Sequence, residues 1–590
     1  MRTMQRVELF KRVRACDYGP VTDGPDPAPL VEAVRGLRSA VAATTLPLPV
    51  PDVASQRTDR AELLHQLDDY VLPRLSSLDA PLLAVVGGST GAGKSTLVNS
   101  VVGEGVSRAG ALRPTTRASV LIHHPDDARW FTSQRVLPGL ARLTGSPRSE
   151  EDPGQLRLVS SRALPDGLAL LDAPDIDSVV EANRDLARQL LSAADLWLFV
   201  TTASRYADAV PWRLLQQATD RGTSVAVVLS RVPHEAMEEV RADLARMLLE
   251  QGLGQSPIFT VLESALDDGL LPAVETARLR SWLSSLATDS RARAIVIRRT
   301  LDGALHSLDG RAQILHRAAT EQVEARDALS EAVAEAFGRA RGEVDGAVSD
   351  GSVLRGEVLA RWQEFVGTGE WFRQFDEGVG RLRDKLGAIL RGQGARQPAE
   401  DLGEALHTGV AALIASQGES ASLAVARQWR TLPGGAPLLE EHPGLAKVSD
   451  GFDARVQRVV RDWQGEVLEL VRREAGGRRA TARFLSFGIN GIGVMLMLVV
   501  FSATGGALAG AEVGVAGGSA LVAQRVLESV FGDQAVRSLT TKARVLLLDQ
   551  VDAIYAAERE RHDAALQGLG VDGDSTERLS AAIREVKAAR

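Results

Sequence analysis

The residues best placed to do chemistry form one glycine-rich run, Gly88-Ser89-Thr90-Gly91-Ala92-Gly93-Lys94-Ser95, followed directly by Thr96. Glycines at this spacing let successive backbone N–H groups turn toward a single anion. Lys94 adds a full positive charge on a flexible stem, and the Ser95 hydroxyl is a ligand for Mg²⁺. Such a run needs a strand before it and a helix after it, because the helix N-terminus supplies part of the positive field. Both are present: the apolar run Leu82 to Val86 precedes it, and Thr96-Leu97-Val98 opens a helical pattern. The chain has 55 glycines, so the motif alone could arise by chance. Its flanking elements make it a candidate nucleoside triphosphate site.

Three further segments can complete such a site. Arg113-Pro114-Thr115-Thr116-Arg117 lies between the first and second strands, where a threonine can close over Mg²⁺ and the γ-phosphate; Thr115 and Thr116 are the candidates. Leu168 to Leu171 runs into Asp172-Ala173-Pro174-Asp175, so Asp172 stands at the carboxyl end of a buried strand and can reach Mg²⁺ through water. Val225 to Leu229 runs into Ser230-Arg231-Val232-Pro233, where the Arg231 stem can lie over a purine. Arg205-Tyr206-Ala207-Asp208 follows the fourth strand; it either shapes the site or a nucleotide-dependent dimer face, or is an ordinary polar loop.

The elements that must hold these residues are short apolar runs separated by helical stretches: Leu82 to Val86, Ser119 to Ile122, Leu168 to Leu171, Leu196 to Thr201, Val225 to Leu229 and Ile258 to Val261. That pattern predicts an α/β P-loop domain with a mostly parallel sheet. Two helices come earlier, one carrying Leu30, Val34, Leu37 and Val41, the other Leu63, Leu64, Leu67, Tyr70 and Val71. From about Arg298 the strand signals stop. Leu301, Leu305, Leu308, Leu315, Val323, Leu329, Val333 and Phe337 then recur at steps of threes and fours, and further runs carry Trp362 and Phe365, Leu382 to Leu390, Leu406 to Ile414, and Val456 to Val471. This predicts an extended α-helical bundle.

A second feature is the absence of any charged residue from Phe484 through Ala511. Phe484 to Phe501 would be about 27 Å long as a helix, close to the thickness of a bilayer core. Ser502 to Gly506 interrupts it, and a weaker half containing Glu512 runs to Ala523, with Gly510, Gly514 and Gly518 giving a small face for close packing. Arg478, Arg479 and Arg483 stand before it, and Arg525, Arg537 and Lys542 after it, so a membrane hairpin with both ends on the cytoplasmic side is expected. The alternative is a buried hairpin in a soluble core. The domains expected are a tail and first helix at 1–58, the P-loop domain with its neck helix at 59–297, a helical stalk at 298–483, the hairpin at 484–523, a returning helix at 524–570 and a C-terminal tail at 571–590.

Composition narrows the choices. The net charge of −8 argues against a nucleic-acid partner. Cys16 is the single cysteine, which excludes an intramolecular disulfide, and no Cys/His cluster has structural-zinc spacing. The pair His123-His124 reads as surface residues at a strand end. Met1 to Arg14 is basic but has no apolar stretch behind it, so it does not read as a secretory signal.

With the phosphate loop, Asp172-Ala173-Pro174 and this layout, the chain resembles the dynamin-like GTPases, bacterial and in particular actinobacterial members. The resemblance implies GTP as substrate, Mg²⁺ as cofactor, and Lys94, Ser95, Thr116 and Asp172 as the catalytic set. It also implies a polar residue in mid-loop, Ser89 or Thr90, that aids catalysis. It implies a lipid bilayer as partner, a homodimer or oligomer formed through the GTPase domain, a place on the cytoplasmic face of the cell membrane, and division-site or sporulation-septum proteins as partners. Two motifs depart from the family. Its Asp-x-Pro-Gly ends here in Asp175, whose carboxylate beside a triphosphate is unfavourable, so Asp175 is expected to point away or nucleotide sensing to be altered. Its guanine-reading Asn/Thr-Lys-x-Asp is replaced by Ser230-Arg231-Val232-Pro233, which lacks the carboxylate and leaves GTP against ATP open. The competing readings are a soluble Era-like regulatory GTPase acting on RNA or ribosome assembly, and a non-hydrolysing nucleotide-binding membrane scaffold.

Overall fold

The computed structural model describes residues 28–107, 119–133, 136–137, 139–143, 155–178, 181–220, 222–350, 352–354, 396–475, 489–501, 524, 527–528 and 531–590. The chain divides into two compact units. The first comprises Met1–Leu46, Asp52–Thr320 and Asp572–Arg590, and the second Pro47–Pro51 and Glu321–Val571.

The first unit is built on an eight-stranded sheet of β1 (Leu82–Gly88), β2 (Ser119–His123), β3 (Ala141–Leu143), β4 (Gln155–Ser160), β5 (Leu168–Asp172), β6 (Leu196–Thr202), β7 (Ser224–Val232) and β8 (Ile258–Leu262). The order is β3-β4-β2-β5-β1-β6-β7-β8, and every neighbouring pair is parallel except β2 with β5. The six strands expected from apolar runs all form. β3 and β4 were not legible: β3 is only three residues long, and β4 interleaves polar residues, including a buried Arg157, with leucines.

Helices cover both faces of the sheet, which is why its central strands read as unbroken apolar runs. Successive residues alternate between two cores. Leu83, Val85, Trp197, Phe199, Val227 and Leu229 pack on one side with Leu186, Leu190, Leu215 and Leu244. Leu82, Val86, Leu198, Val200 and Val228 pack on the other with Leu97, Val98, Leu279 and Leu283. His123, expected at the surface, is buried and stacks on Phe131 with centroids 5.5 Å apart.

A third core joins the helix Ala28–Ala43, the helix Val53–Gln66, the first part of the 61-residue helix Ser290–Asp350, and the helix Gly573–Ala589. Val34, Leu37, Val41, Leu63, Leu67, Leu301, Leu305, Leu308, Leu579 and Val586 meet there. Residues 571–590, expected as a tail, are therefore largely a packed helix of this unit, because Leu579, Ala582 and Val586 fall on one face and bury it. Gly303 meets Gly222 at a close backbone crossing, and a Cβ on Gly303 would lie 2.5 Å from the Gly222 Cα. Gly303→Ala should cost about 1–3 kcal/mol, since backbone cannot yield as a side chain can. Gly310→Ala on the same helix, with nothing within 4 Å of its added Cβ, should be neutral or gain up to ~1 kcal/mol. Chemical denaturation midpoints of the two variants check the contrast.

The second unit is helical: Arg396–Trp429, Phe452–Ala475, Ile489–Val500 and Asp533–Gly568 join the remainder of Ser290–Asp350. Buried aromatic side chains pin the helices by donating to carbonyls, Trp429 Nε1 to Leu329 O at 2.9 Å, Trp463 Nε1 to Ala543 O at 2.8 Å and Tyr555 OH to Ile414 O at 2.8 Å. Gln322 holds the Leu48 backbone at both ends, accepting from its N–H at 2.8 Å and donating to its carbonyl at 2.9 Å.

The apolar segment is described only over 489–501. There it is a 12-residue helix, Ile489–Val500, about 18 Å long by its rise per residue. It packs among the helices Arg396–Trp429, Phe452–Ala475 and Asp533–Gly568, burying Val494, Leu496, Met497, Val499, Val500 and Phe501. Phe501 lies 5.7 Å from Trp463, ring centroid to centroid. Among the described residues no helix is long and apolar enough to cross a membrane. Residues 484–488 and 502–523, the flanking Arg478, Arg479, Arg483 and Arg525, the tail 1–27 with Cys16, and the runs at Trp362, Phe365 and Leu382 to Leu390 lie outside the described residues.

Candidate functional site

The phosphate loop leaves the carboxyl end of β1, the strand flanked by β5 on one side and β6 on the other. In open α/β sheets ligands bind where the chain order reverses in this way. Gly88 has to be glycine, because a Cβ there would stand 1.9 Å from the Val200 carbonyl oxygen of β6. Gly91 and Gly93 have φ of 79° and 84°, the left-handed region that turns backbone N–H groups inward without a side-chain penalty. Gly93 then caps the helix Lys94–Val102, whose N-terminus points into the loop.

Lys94 is 6% exposed and its ammonium is fully engaged. It donates to Gly88 O at 3.1 Å and Ser89 O at 3.2 Å, and its third partner is the Asp175 carboxylate, with which it forms an ion pair. Asp175 therefore does not point away from the loop. The opposite charge of the Lys94 ammonium draws it in.

Asp172 is completely buried at the end of β5. Its Oδ2 accepts from Ser95 Oγ and from Ser107 Oγ, each at 2.6 Å, while Oδ1 has no partner. Burial raises its pKa above the ordinary carboxylate value, against the lowering effect of the two hydroxyls and of Lys94. A buried carboxylate with an orphaned oxygen next to a serine hydroxyl is a hard oxygen donor set, and these residues fit Mg²⁺. Among the described residues no cluster of three or more His, Cys, Asp or Glu could hold a metal by itself. The cation would thus draw most of its ligands from phosphate and water, as Mg²⁺ ordinarily does.

Thr90 is held by a carboxylate that sequence reasoning missed. Asp177 Oδ1 accepts from the Thr90 N–H at 2.6 Å and from its hydroxyl at 2.5 Å. Arg205 donates to Thr90 O at 3.0 Å and to Asp177 Oδ2 at 3.2 Å, so the Arg205 to Asp208 loop does reach the site. Neighbouring Tyr206 donates its hydroxyl to Asp243 Oδ2 at 2.8 Å. The Ser89 hydroxyl is buried with no partner. Ala92 is buried, and Thr96 is half-buried on the first turn of the helix.

The expected base-reading segment divides. Ser230 Oγ donates to Ala92 O at 2.6 Å and lies 3.1 Å from Thr201 O, so it ties the loop to the end of β6. Arg231 is exposed, with φ of 52°, where the β7 to β8 register shifts. Thr115 and Thr116 lie outside the described residues. Ser107 joined the site only through folding; it lies beyond the helix and carries no motif.

Residues 83–232 match the sequence profile of the dynamin family. The matched stretch runs from β1 to β7 and so contains the glycine-rich loop and the strands around it. No curated protein matches the chain. Two solved structures from work on an oligomerised bacterial dynamin pair, described as a mechanism for long-range sensing and tethering of membranes, are similar along their length. The first covers 99% of this chain and 98% of its own at 10% identity and a TM-score of 0.43. The second covers 99% of each at 11% identity and a TM-score of 0.37.

Proposed function

We propose that this chain, with its dynamin-family domain over residues 83–232, is a Mg²⁺-dependent GTPase that couples nucleotide turnover to membrane binding at the cytoplasmic face, as a dimer or larger oligomer. The observation that carries the reading is the loop itself: Lys94, Ser95 and the orphaned Asp172 oxygen converge at the end of β1. Backbone N–H groups of the loop receive the phosphates, and Lys94 neutralises them. Ser95 and Asp172, with Thr116, would hold the Mg²⁺. Mg²⁺ held there would supply positive charge to offset that of the phosphate oxygens. Asp177 and Arg205 fix Thr90 so that the loop keeps its curvature.

Membrane contact is assigned to the uncharged segment by its composition. Since Val494, Leu496, Met497 and Phe501 fill the core of the helical unit, removing 484–523 would damage folding. The deletion that tests the assignment is 502–523. The intact chain should float with liposomes and the 502–523 deletion should remain at the bottom; a soluble GTPase would leave both there. Phosphate release with Mg²⁺ should be faster with GTP than with ATP. The Lys94–Asp175 pair favours one second reading, a scaffold that binds nucleotide without hydrolysis. Nucleotide binding with no phosphate release in either case would select it.

A further inference from the structure

The ammonium of Lys94 has three donors and three acceptors, Gly88 O, Ser89 O and the Asp175 carboxylate. A phosphate seated in the loop needs the same ammonium. The two partners differ in freedom: the Lys94 side chain is 6% exposed, whereas that of Asp175 is 35% exposed and borders solvent. In an exchange of anions, then, Asp175 is the member that leaves. Its carboxylate is not needed to build the turn either. Asp175 lacks a positive φ, and the segment is held by backbone contacts, Ala173 N–H to Val86 O at 3.1 Å and Ser178 N–H to Asp175 O at 3.3 Å. Two residues further on, Asp177 takes the Thr90 N–H of the same loop, so the segment after β5 sets two carboxylates on phosphate-binding donors.

We propose that Asp175 is the residue that sets the nucleotide affinity of this site: its carboxylate stands in for a phosphate on Lys94, and a triphosphate binds by displacing it. The inference rests on the nucleotide reading above and goes beyond it, since binding then has a built-in competitor. An incoming triphosphate also repels Asp175, so occupancy drives the segment after β5 outward. That outward step is a local change coupled to the phosphates.

The test uses the full chain with methylanthraniloyl-GTP and Mg²⁺, and inorganic tripolyphosphate as a displacing probe. Asp175→Ala and Asp175→Asn should each bind the fluorescent nucleotide about tenfold tighter than wild type, equivalent to about 1.4 kcal/mol. Asp175→Glu, which keeps the charge, should not tighten. Tripolyphosphate should displace the probe from the neutral variants at correspondingly lower concentration, which places the effect at the phosphates rather than the base. If both neutral variants bind no tighter than wild type while Lys94→Ala loses binding, Asp175 is not a competitor and the proposal falls. If wild type and the Asp175 variants, all folded by circular dichroism, bind neither GTP nor ATP, the nucleotide reading itself falls with it.

Discussion

Lys94→Ala is expected to weaken nucleotide binding by about a hundredfold or more while leaving the fold and liposome flotation intact. The magnitude follows from removing one member of a largely buried, charge-paired contact, which costs roughly 2–5 kcal/mol. Lys94 is nearly enclosed by the loop, so neither water nor a neighbouring side chain can replace its ammonium at the phosphates. The fold should survive because the partner left behind, Asp175, is 35% exposed and can be rehydrated. Isothermal titration with GTP, with the thermal midpoint and flotation measured on the same preparation, checks the three parts together. Loss of flotation in step with nucleotide binding, in a folded variant, would contradict a site whose work is separable from the proposed membrane contact.

The largest effect on stability is expected at Arg74. Its side chain is 7% exposed and pairs with Asp195, which is fully buried. Arg74 also donates to Ala80 O at 3.1 Å and Pro81 O at 2.7 Å, and Asp195 Oδ2 accepts the Leu83 N–H at 2.7 Å. One ion pair thus fastens the start of β1 to the residue preceding β6, at the opposite end of the strands from the phosphate loop. Arg74→Met should cost about 3–5 kcal/mol, because it strands a buried carboxylate. Burial already pushes the Asp195 pKa up, with Arg74 pulling it back. Without Arg74 the folded-state pKa rises further above the unfolded value. A raised carboxylate pKa favours the folded state below the unfolded pKa and loses that contribution as pH climbs through the folded one. The deficit of Arg74→Met should accordingly be largest near neutral pH and shrink on acidification. Arg74→Met/Asp195→Asn keeps an acceptor for Leu83 and removes the charge, so it should recover much of the loss. Denaturant unfolding followed by tryptophan fluorescence measures both; equal deficits in the single and double variants would show that the charge is not the cause.

The phosphate loop and the strands around it were legible because they are local. Six buried strands write themselves as apolar runs, and Gly88, Gly91 and Gly93 are required by backbone geometry that no other residue supplies cheaply. Asp172 was readable for a similar reason, standing where a buried strand ends. The amphipathic periods also announced the helices whose faces bury Val34, Leu37, Leu301 and Leu308. What a hydrophobic period cannot say is which other face it meets. That is why the helix Gly573–Ala589 passed for a tail, and why Phe484 to Phe501, uncharged throughout, read as a membrane span although Val494, Leu496, Met497, Val499 and Val500 are buried on a helix packed among three others of the second unit.

The site itself divides along the same line. Sequence alone marked the groups proposed to meet a phosphate, since glycine spacing, a lysine and a helix N-terminus act over a few residues. Only the tertiary structure decided which charged and polar groups meet each other: Asp175 with Lys94, Asp177 with Thr90 and Arg205, Ser107 with Asp172, Arg74 with Asp195. Those partners lie 28 to 121 positions apart along the chain. Electrostatic pairing depends on distance in space, and no periodicity or motif in a linear sequence records it.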